Sequence, residues 1–324
     1  MSVSGNDEYS VVIPTCDRPN LLKRSLASAM RQSIPPAEVI IVDDGSTMAV
    51  DFSWLGVPFT QGSLKIRVLR NEIRKGANYS RNLGVLTARS DIVMFLDDDD
   101  GWLPSKAACQ LRYFSDPNCV LVYSGKYMLR SGRVAYASKI EEGRVSQSRI
   151  FHGNYIGTTS GVAIRKKAFI DVGCFDTNLP ALQDYDLWIR VSRVGNVVAD
   201  GERLVLYSIP PRGGGNISSD LEKQKSAIDM IRVKYGRYLE KNSDAFQPGF
   251  NLVLERIPIK SIAYSSWFKA AWVALKVASR NRSFLPLAAL APEWLRWVAW
   301  KTTTVGGNGT GRVLKQEIAQ YLGK

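Results

Sequence analysis

The sequence predicts an α/β fold, with a mostly parallel sheet flanked by helices and a helical C-terminal extension. Three short apolar runs rich in β-branched residues, at 10–13, 39–42 and 92–96, are typical of buried strands. Helical patterns lie between them, at 21–31 and 77–88. Strands that alternate with helices pair in parallel through right-handed crossovers, so these segments predict the first half of such a sheet.

The first helix is expected to begin just after Pro19. Apolar side chains between Leu21 and Met30 share one face of a helix, and basic side chains lie elsewhere. Asn20 is the expected N-cap, because its side chain can accept a hydrogen bond from a free N–H of the first turn. A weaker strand is predicted at 66–69, before the second helix.

The second part of the sequence mixes strands and helices less regularly. A strand is predicted at 119–123, a loop of small residues at 157–161 and a helix at 184–194. Pro and Gly residues at 210–215 indicate a break, and the sequence after it is mostly helical in pattern. The expected organisation is one half of the α/β domain at 1–100, the other half at 101–220 and a helical C-terminal region at 221–324.

The composition is that of a soluble globular protein. The 324 residues are 45% hydrophobic and 23% charged, which allows a sizeable core. No apolar run is long enough to span a membrane, and the N-terminus lacks the pattern of a secretory signal. The four cysteines fit no zinc or disulfide pattern, and the single histidine, His152, excludes a multi-histidine metal site. We therefore expect a reduced, cytoplasmic protein.

Polar clusters directly follow three of the predicted strands, at 15–18, 43–46 and 97–100. The carboxyl ends of parallel strands lie at one edge of a sheet, and ligands bind at that edge. Three loops that are distant in the sequence are therefore expected to form one site.

The last of these clusters consists of four consecutive aspartates, from Asp97 to Asp100. Carboxylates crowded at a sheet edge raise one another's pKa unless a cation is present. Oxygen ligands of this kind suit Mg²⁺ or Mn²⁺, which bind a few carboxylates together with the phosphates of a substrate. A solvated acidic turn is the alternative, and we favour the metal site.

Five blocks of the sequence carry a family resemblance. They are SVVIPTCDRP, EVIIVDDGST, SRNLGVLTARSDIVMFLDDDDGWLP, GTTSGVAIRKKAFIDVGCFD and QDYDLWIRV. In this order and at this spacing they resemble the family-2 glycosyltransferases with a GT-A fold, of the type that builds bacterial polysaccharides and glycoconjugates. The resemblance covers about residues 9–220.

The resemblance implies an inverting, metal-dependent transfer of a sugar from a nucleotide-diphosphate sugar, usually a UDP-sugar. The acceptor would be a hydroxyl of a glycan or of a lipid-linked molecule. The half at 1–100 would bind the donor and the half at 101–220 the acceptor. The alternatives are a sugar-phosphate nucleotidyltransferase, or a non-catalytic module that binds a nucleotide-sugar or nucleic acid. No nucleic-acid motif is present, so nucleic acid is not an expected partner.

The resemblance also implies which residues contact the nucleotide. The family's first loop meets the base and the ribose, an aspartate after the second strand hydrogen-bonds the base, and a basic side chain approaches the nucleotide. In this sequence the matching residues are Pro14, Thr15, Asp17 and Arg18 in the first loop, Asp43 at the base, and Arg74 or Arg81 as the basic group.

The family's DxD motif aligns on the aspartate run. Asp99 is the expected direct metal ligand. Asp97 is expected to contact the metal or the ribose, and Asp98 the ribose or the groups around the metal.

Asp184 matches the catalytic base of the family. The residue before it is Gln183, where the family usually has Glu, and this departure removes a neighbouring negative charge. The alternative for Asp184 is a helix N-terminal aspartate favoured by the helix dipole. Asp186 would point elsewhere on the helix, and we expect it to be structural.

The net charge of +13 is concentrated near the C-terminus. Residues 251–324 hold 11 Lys or Arg against 3 Asp or Glu, a net charge of +8, which favours an anionic partner. In a helix, Trp267, Trp272 and Leu275 would share a face opposite a basic side. Such a helix suits an anionic membrane interface and would place the enzyme peripherally on the inner face of the cell membrane. The alternatives are that this face packs on the catalytic domain or that it contacts another copy in an oligomer.

Overall fold

A single mixed sheet forms the centre of the computed structural model, which describes residues 8–55, 60–61, 64–209, 220–242, 250–251, 253–254, 257, 267–281 and 308–323. The strands are β1 (Tyr9–Thr15), β2 (Glu38–Asp44), β3 (Thr60–Gln61), β4 (Leu64–Asn71), β5 (Ile92–Phe95), β6 (Gly101–Trp102), β7 (Cys119–Arg130), β8 (Arg133–Ala137), β9 (Glu142–Val145), β10 (Val162–Arg165) and β11 (Asn196–Ser208). Their order is β3-β4-β2-β1-β5-β10-β7-β11-β6, with β8 paired to β7 and β9 paired to β11.

Helices connect the strands and cover the sheet. Short 3₁₀ turns add to them at Arg112–Ser115, Gln147–His152 and Thr159–Gly161. The α-helices are α1 (Pro19–Met30), α2 (Phe52–Leu55), α3 (Ala77–Thr87), α4 (Lys106–Leu111), α5 (Lys166–Asp171), α6 (Gln183–Val191), α7 (Leu221–Asn242), α8 (Trp267–Asn281) and α9 (Asn308–Tyr321).

The parallel part of the sheet is its first half. β4, β2, β1 and β5 are parallel neighbours, as the sequence predicts. β10 then lies antiparallel between β5 and β7, so the second half of the sheet is mixed. Alternate side chains of β1 enter two different cores, because successive residues of a strand point to opposite faces. Val12 joins one buried cluster, and Val11 and Ile13 join the other.

The first helix begins earlier than the predicted N-cap. Its cap residue is Arg18, and Pro19 occupies the first helical position. Proline is suited to that position, because its missing N–H would be unpaired there anyway and its φ is already helical. Asn20 therefore lies inside the first turn, and the prediction that it caps the helix was wrong.

The described C-terminal helices confirm the predicted helical extension. Of these, α7 packs on the domain through Ala227, Ile228 and Ile231. The break predicted at 210–215 lies outside the described residues, as do Trp294, Trp297 and Trp300 of the last quarter. Within the part of the chain that the structure describes, no helix is both long and apolar enough to cross a membrane.

The apolar face predicted for α8 is divided in the structure. Its buried side is a row of alanines, Ala270, Ala274 and Ala278, at intervals of one helical turn. Trp272 and Leu275 are 60% and 57% exposed. Because alanine is small, this side of α8 packs closely on its neighbours. The large side chains of Trp272 and Leu275 lie elsewhere on the helix and remain on the surface.

The last helix, α9, packs against the outer part of the sheet. Ile318 and Tyr321 form a small buried cluster with Leu129 of β7 and Leu206 of β11. The C-terminal helix is thereby attached to the second half of the sheet.

The side chain of Asp186, in α6, contacts residues of α7 through a hydrogen bond and an ion pair. Its side chain is fully buried. Arg190 donates to Oδ2 at 2.6 Å, while the Tyr235 hydroxyl and the Lys234 ammonium reach Oδ1 at 2.7 and 2.8 Å. A buried carboxylate with three such partners is a structural element, in agreement with the expectation from the sequence.

We predict that Asp186→Ala lowers the free energy of unfolding by about 3 kcal/mol, because it leaves the mostly buried Arg190 without its counter-charge and the Tyr235 hydroxyl without its acceptor. Urea denaturation measures this value. Asp229→Ala is the matched control, since Asp229 is exposed in a surface pair with Arg232 and should cost less than about 1 kcal/mol. Equal effects of the two substitutions would contradict the structural role of Asp186.

Candidate active site

The four aspartates form a short loop, residues 97–100, directly after β5; we call it the acidic loop. Asp100 is 1% exposed. Its carboxylate accepts the Ser160 hydroxyl at 2.6 Å and the Ser208 N–H at 3.1 Å. Its N–H donates to the Asp97 carbonyl at 3.0 Å. Asp100 therefore closes the loop and is not open to a ligand.

Asp98 is turned toward the first loop. The Thr15 hydroxyl donates to its carboxylate at 2.8 Å, and the Arg18 guanidinium lies 3.2 Å from it. Burial raises the pKa of Asp98, and these two partners oppose the shift. Thr15 and Asp98 were both expected at the nucleotide, and the structure pairs them with each other.

Asp97 is turned toward α3. The Arg81 guanidinium lies 2.5 Å from its carboxylate, and the Thr159 hydroxyl donates to it at 3.1 Å. The Arg81 side chain is only 12% exposed, and its guanidinium lies 5.7 Å from the centre of the Phe175 ring. Arg81 thus neutralises the acidic loop from within the protein.

Asp99 has the most open carboxylate of the four, with its side chain 32% exposed and Arg18 at 3.4 Å. Burial and the charges of Asp97 and Asp98 raise the pKa of the Asp99 carboxyl to about 6. The cause is an excess of negative charge in a partly enclosed place. A bound cation or the positive groups of a ligand complex would relieve it.

The carboxylates of the acidic loop fit a metal ion that is bound by the protein together with the phosphates of a substrate. Within the described residues, no group of three or more His, Cys, Asp or Glu side chains could hold a metal by itself. Mg²⁺ and Mn²⁺ commonly bind through one or two carboxylates plus substrate phosphates. Asp99 meets this requirement. Asp97 meets it less well, because Arg81 and Thr159 already contact its oxygens.

The first loop, residues 15–18, touches the acidic loop and the loop after β2. The Asp17 N–H donates to the Ser46 hydroxyl at 2.9 Å, and the Asp17 carboxylate accepts the Thr47 N–H at 2.7 Å. Pro14 is a buried residue of β1, whereas Asp17 and Arg18 are exposed. Of the four residues predicted in this region, only Asp17 and Arg18 present their side chains to solvent.

Asp43, near the end of β2, is the residue expected to hydrogen-bond the nucleotide base, and this contact stays a prediction. It is fully buried. Its carboxylate accepts the N–H groups of Ser46 at 2.9 Å and Val50 at 3.2 Å, and Arg70 at 2.6 Å. In this structure Asp43 shapes the loop after β2. Arg70 was missed from the sequence, because nothing in the strand pattern of β4 marks it.

Asp44, on the opposite face of β2, has a similar function. It accepts the Asn71 amide at 2.8 Å and the N–H groups of Lys75 at 2.9 Å and Gly76 at 2.8 Å. The segment before α3 is thereby held against the sheet. Gly45, with φ of +70°, leaves room for the backbone of Arg74, whose nitrogen would lie 2.8 Å from a Cβ at position 45. The Arg74 side chain is exposed.

Asp184 lies in the first turn of α6 and is partly exposed. Its carboxylate accepts the Tyr185 N–H at 2.7 Å and the Asn154 amide at 3.1 Å. Burial raises the pKa of Asp184, and these hydrogen bonds oppose the shift, as do the charges of Lys126 and Arg81. A carboxylate that is hydrogen-bonded but has a raised pKa is suited to accept a proton.

Gln183, the position where this chain departs from the family pattern, donates its amide to the Leu179 carbonyl at 3.0 Å. Its side chain therefore supports the turn before α6.

Lys126 is a residue that the sequence analysis missed. It lies on β7, with its ammonium 4.9 Å from the centre of the Tyr207 ring. Burial lowers the pKa of Lys126, and the charges of Asp100 and Asp184 oppose the shift. The charge of Lys126 is thus felt by both Asp100 of the acidic loop and Asp184. The sequence signal was weak: polar residues at 124–126 inside a strand that begins as an apolar run.

A cavity of about 420 Å³ lies beside Asp184. Asn154, which bonds Asp184, is in its wall together with Tyr155 and Leu182. Val253 and Ile257, from the region after α7, complete it. The C-terminal region therefore contributes to the surroundings of Asp184.

Comparison with known proteins identifies the family. The model of glycosyl transferase family 2 matches residues 10–173. An uncharacterized glycosyltransferase of Haemophilus influenzae is 31% identical over 237 residues, which are 72% of this chain and 78% of that protein. The putative colanic acid biosynthesis glycosyl transferase WcaA of Escherichia coli K12 is 29% identical over 200 residues, 58% of this chain and 67% of WcaA.

Solved structures share the fold. Staphylococcus aureus TarS in complex with UDP superposes with a TM-score of 0.53 at 17% identity, covering 90% of this chain and 89% of that one. The mannosyltransferase PcManGT of Pyrobaculum calidifontis, in complex with GDP-Man and Mn²⁺, gives a TM-score of 0.54 at 18% identity, covering 97% and 84%. The predicted GT-A fold is confirmed.

The family model covers half of the chain, and the match to the Haemophilus relative covers 72% of it at 31% identity. This chain therefore belongs to glycosyl transferase family 2 and is a transferase enzyme.

Proposed function

We propose that this glycosyltransferase inverts the configuration of the transferred sugar, depends on Mn²⁺ or Mg²⁺, and moves the sugar from a UDP-sugar to a hydroxyl of a glycan or a lipid-linked acceptor. The observation that carries the proposal is the open carboxylate of Asp99 beside Arg18, where the acidic loop meets the first loop. The charges of Lys126 and of Arg81, which pairs with Asp97, both lower the pKa of Asp184, which supports a position of the candidate base near the acidic loop.

The donor nucleotide is proposed to bind over the first loop. Asp17, Arg18 and Arg74 are exposed there, and the two arginines are suited to a diphosphate, because guanidinium groups form charge-assisted hydrogen bonds with phosphate oxygens. TarS has been solved with UDP and with UDP-GlcNAc, which supports a uridine donor. PcManGT has been solved with GDP-Man, so GDP is the nucleotide to compare with UDP.

The carboxylate of Asp99 is proposed to be the ligand of the metal, which would also be bound by the diphosphate of the donor. Asp97 is the second candidate for a metal ligand. A divalent cation bound there would stabilise the charge that develops on the leaving diphosphate. Arg18, 3.4 Å from Asp99, is close enough to contribute positive charge to the same leaving group.

Asp184 is proposed to be the general base. The acceptor hydroxyl gives its proton to the Asp184 carboxylate as its oxygen forms a bond to the anomeric carbon, and the bond from that carbon to the diphosphate oxygen breaks on the opposite side. This single displacement inverts the anomeric centre. The nucleoside diphosphate leaves with the electron pair of the broken bond.

The cavity beside Asp184 is proposed to hold the acceptor. Arg149, in its wall, is paired with Glu141, so its charge is already compensated. Tyr155, Leu182, Val253 and Ile257 supply apolar surface. This combination favours an uncharged sugar unit over a phosphate group next to the base.

We predict that UDP binds at least about tenfold more tightly, or 1.4 kcal/mol, with Mn²⁺ than with EDTA, because a cation held by Asp99 would offset the charge of the diphosphate. Asp99→Ala should remove most of this gain and leave the affinity for uridine unchanged. Titration calorimetry measures both ligands. Asp171→Ala, at an exposed aspartate of α5, is the matched control and should behave as wild type. Equal UDP affinity in Mn²⁺ and EDTA would refute the metal proposal.

We predict that Asp184→Asn slows sugar transfer at least about a hundredfold, because an amide cannot accept the acceptor's proton. UDP affinity should stay within about twofold of wild type, since the base acts only during transfer. Asp171→Asn is the control for the loss of one negative charge. Transfer within a few-fold of wild type would show that Asp184 only supports the helix. Release of pyrophosphate instead of UDP by the wild-type enzyme would indicate a nucleotidyltransferase.

The pH dependence provides a second check on the base. Because burial raises the pKa of Asp184, the carboxylate is lost at a higher pH than for an ordinary aspartate. The transfer rate should therefore fall as the pH drops through that raised pKa, and should be restored as the pH rises above it. The residual activity of Asp184→Asn should not show this fall in rate at low pH.

We further propose that α8 contacts an anionic membrane from the cytoplasmic side. Trp272 and Leu275 are exposed, and the Lys276 ammonium lies 3.5 Å from the centre of the Trp272 ring. An aromatic side chain beside a basic one suits the headgroup region of a bilayer. The excess of positive charge in residues 251–324 acts in the same direction.

We predict that the enzyme sediments with anionic vesicles at low salt and that Trp272→Ala weakens this binding by at least about fivefold, through the loss of buried apolar area. Val233→Ala is the matched control, since Val233 is an 81% exposed apolar residue of α7. Raised salt should release the protein. Binding to neutral vesicles of equal strength, or no effect of Trp272→Ala, would count against the contact.

A further inference from the structure

The end of α9 touches the acidic loop. Tyr321 is 2% exposed, and its hydroxyl donates to the backbone carbonyl of Asp99 at 2.9 Å. The carbonyl belongs to the residue with the most open carboxylate of the loop. Residues 10–173, which match the family model, do not include this helix, so the contact comes from outside the shared core.

The Tyr321 ring fills the space next to Gly101 that a side chain at position 101 would otherwise occupy. Gly101 follows the acidic loop, and a Cβ at that position would lie 2.6 Å from Cδ2 of Tyr321. The backbone of Gly101 is not in the left-handed region, so it is the ring, and not the conformation, that excludes a side chain there. On the other side, the Arg24 guanidinium of α1 lies 5.4 Å from the ring centre, a favourable cation–π distance.

Neighbouring contacts hold the helix end in the same place. Leu322 packs over Gly132, in the turn between β7 and β8, where a Cβ would lie 2.8 Å from Cδ1 of Leu322. Ile318 is buried with Leu129 and Leu206. Tyr321 is therefore presented to the acidic loop by a packed helix.

We propose that Tyr321 is a positioning residue of the donor site. Its hydroxyl holds the Asp99 main chain, and Ser160 and Ser208 hold the Asp100 carboxylate. The Asp99 carboxylate is thereby fixed in direction before any ligand arrives, which lowers the cost of binding. The expected effect on donor affinity rests on the proposed function of Asp99. The contact by which Tyr321 holds the acidic loop is independent of that function.

Tyr321→Phe tests the hold on the loop directly, because it removes only the hydroxyl and keeps the ring over Gly101. Hydrogen–deuterium exchange of the unliganded protein is read on the peptide that covers 97–102. Loss of one hydrogen bond should speed exchange there about two- to tenfold, with exchange in α3 and β1 unchanged. Tyr127→Phe is the matched control, since Tyr127 packs on the same cluster, and it should leave the peptide as in wild type.

Donor affinity is the second readout. Tyr321→Phe should weaken UDP binding in Mn²⁺ about two- to tenfold and leave uridine binding unchanged, while Tyr127→Phe changes neither. Wild-type exchange of 97–102 in Tyr321→Phe would overturn the proposal, as would faster exchange with unchanged UDP affinity. If wild-type UDP binding is the same in Mn²⁺ and EDTA, the metal proposal fails, and the exchange experiment still decides whether Tyr321 holds the loop.

Discussion

The arrangement of this enzyme depends on the need to hold four adjacent carboxylates together at the end of one strand. Like charges this close repel one another, and each must find a different compensating group. Arg81 comes from α3, Thr15 from β1, Arg18 from the start of α1 and Ser160 from the turn before β10, while Tyr321 of the last helix holds the Asp99 main chain. The acidic loop is therefore where the elements of both halves of the sheet meet. Asp99, which has the weakest compensation, is the position left for a ligand.

The sequence predicted the parallel half of the sheet and the meeting of three loops, because both follow from strand periodicity and from the way parallel strands end. It also predicted the contrast between Asp184 and Asp186. Two positions in a helix differ by about 200° around the axis, so one carboxylate can face the cleft while the other enters the buried network of α6 and α7. Local patterns contain this information, since both features repeat with a fixed period.

Other parts of the site could not be predicted, because they depend on contacts between distant segments. Lys126 and Arg70 lie in strands whose pattern does not mark them, and their roles appear only when β7 is beside β11 and β4 beside β2. The division of the apolar face of α8 has the same origin. An amphipathic pattern indicates that a helix has an apolar side, but the neighbouring segments decide whether Ala274 or Trp272 is covered.

The buried positions of Asp43 and Asp44 change how a mutational scan of this protein should be interpreted. Each carboxylate accepts three hydrogen bonds from the chain itself, two of them from backbone N–H groups of a neighbouring loop. In an alanine scan scored by activity, these two positions would be grouped with the residues that contact the donor. The yield of folded protein separates the two effects, because loss of a residue that organises a loop lowers this yield, whereas loss of a contact to the donor alone leaves it unchanged.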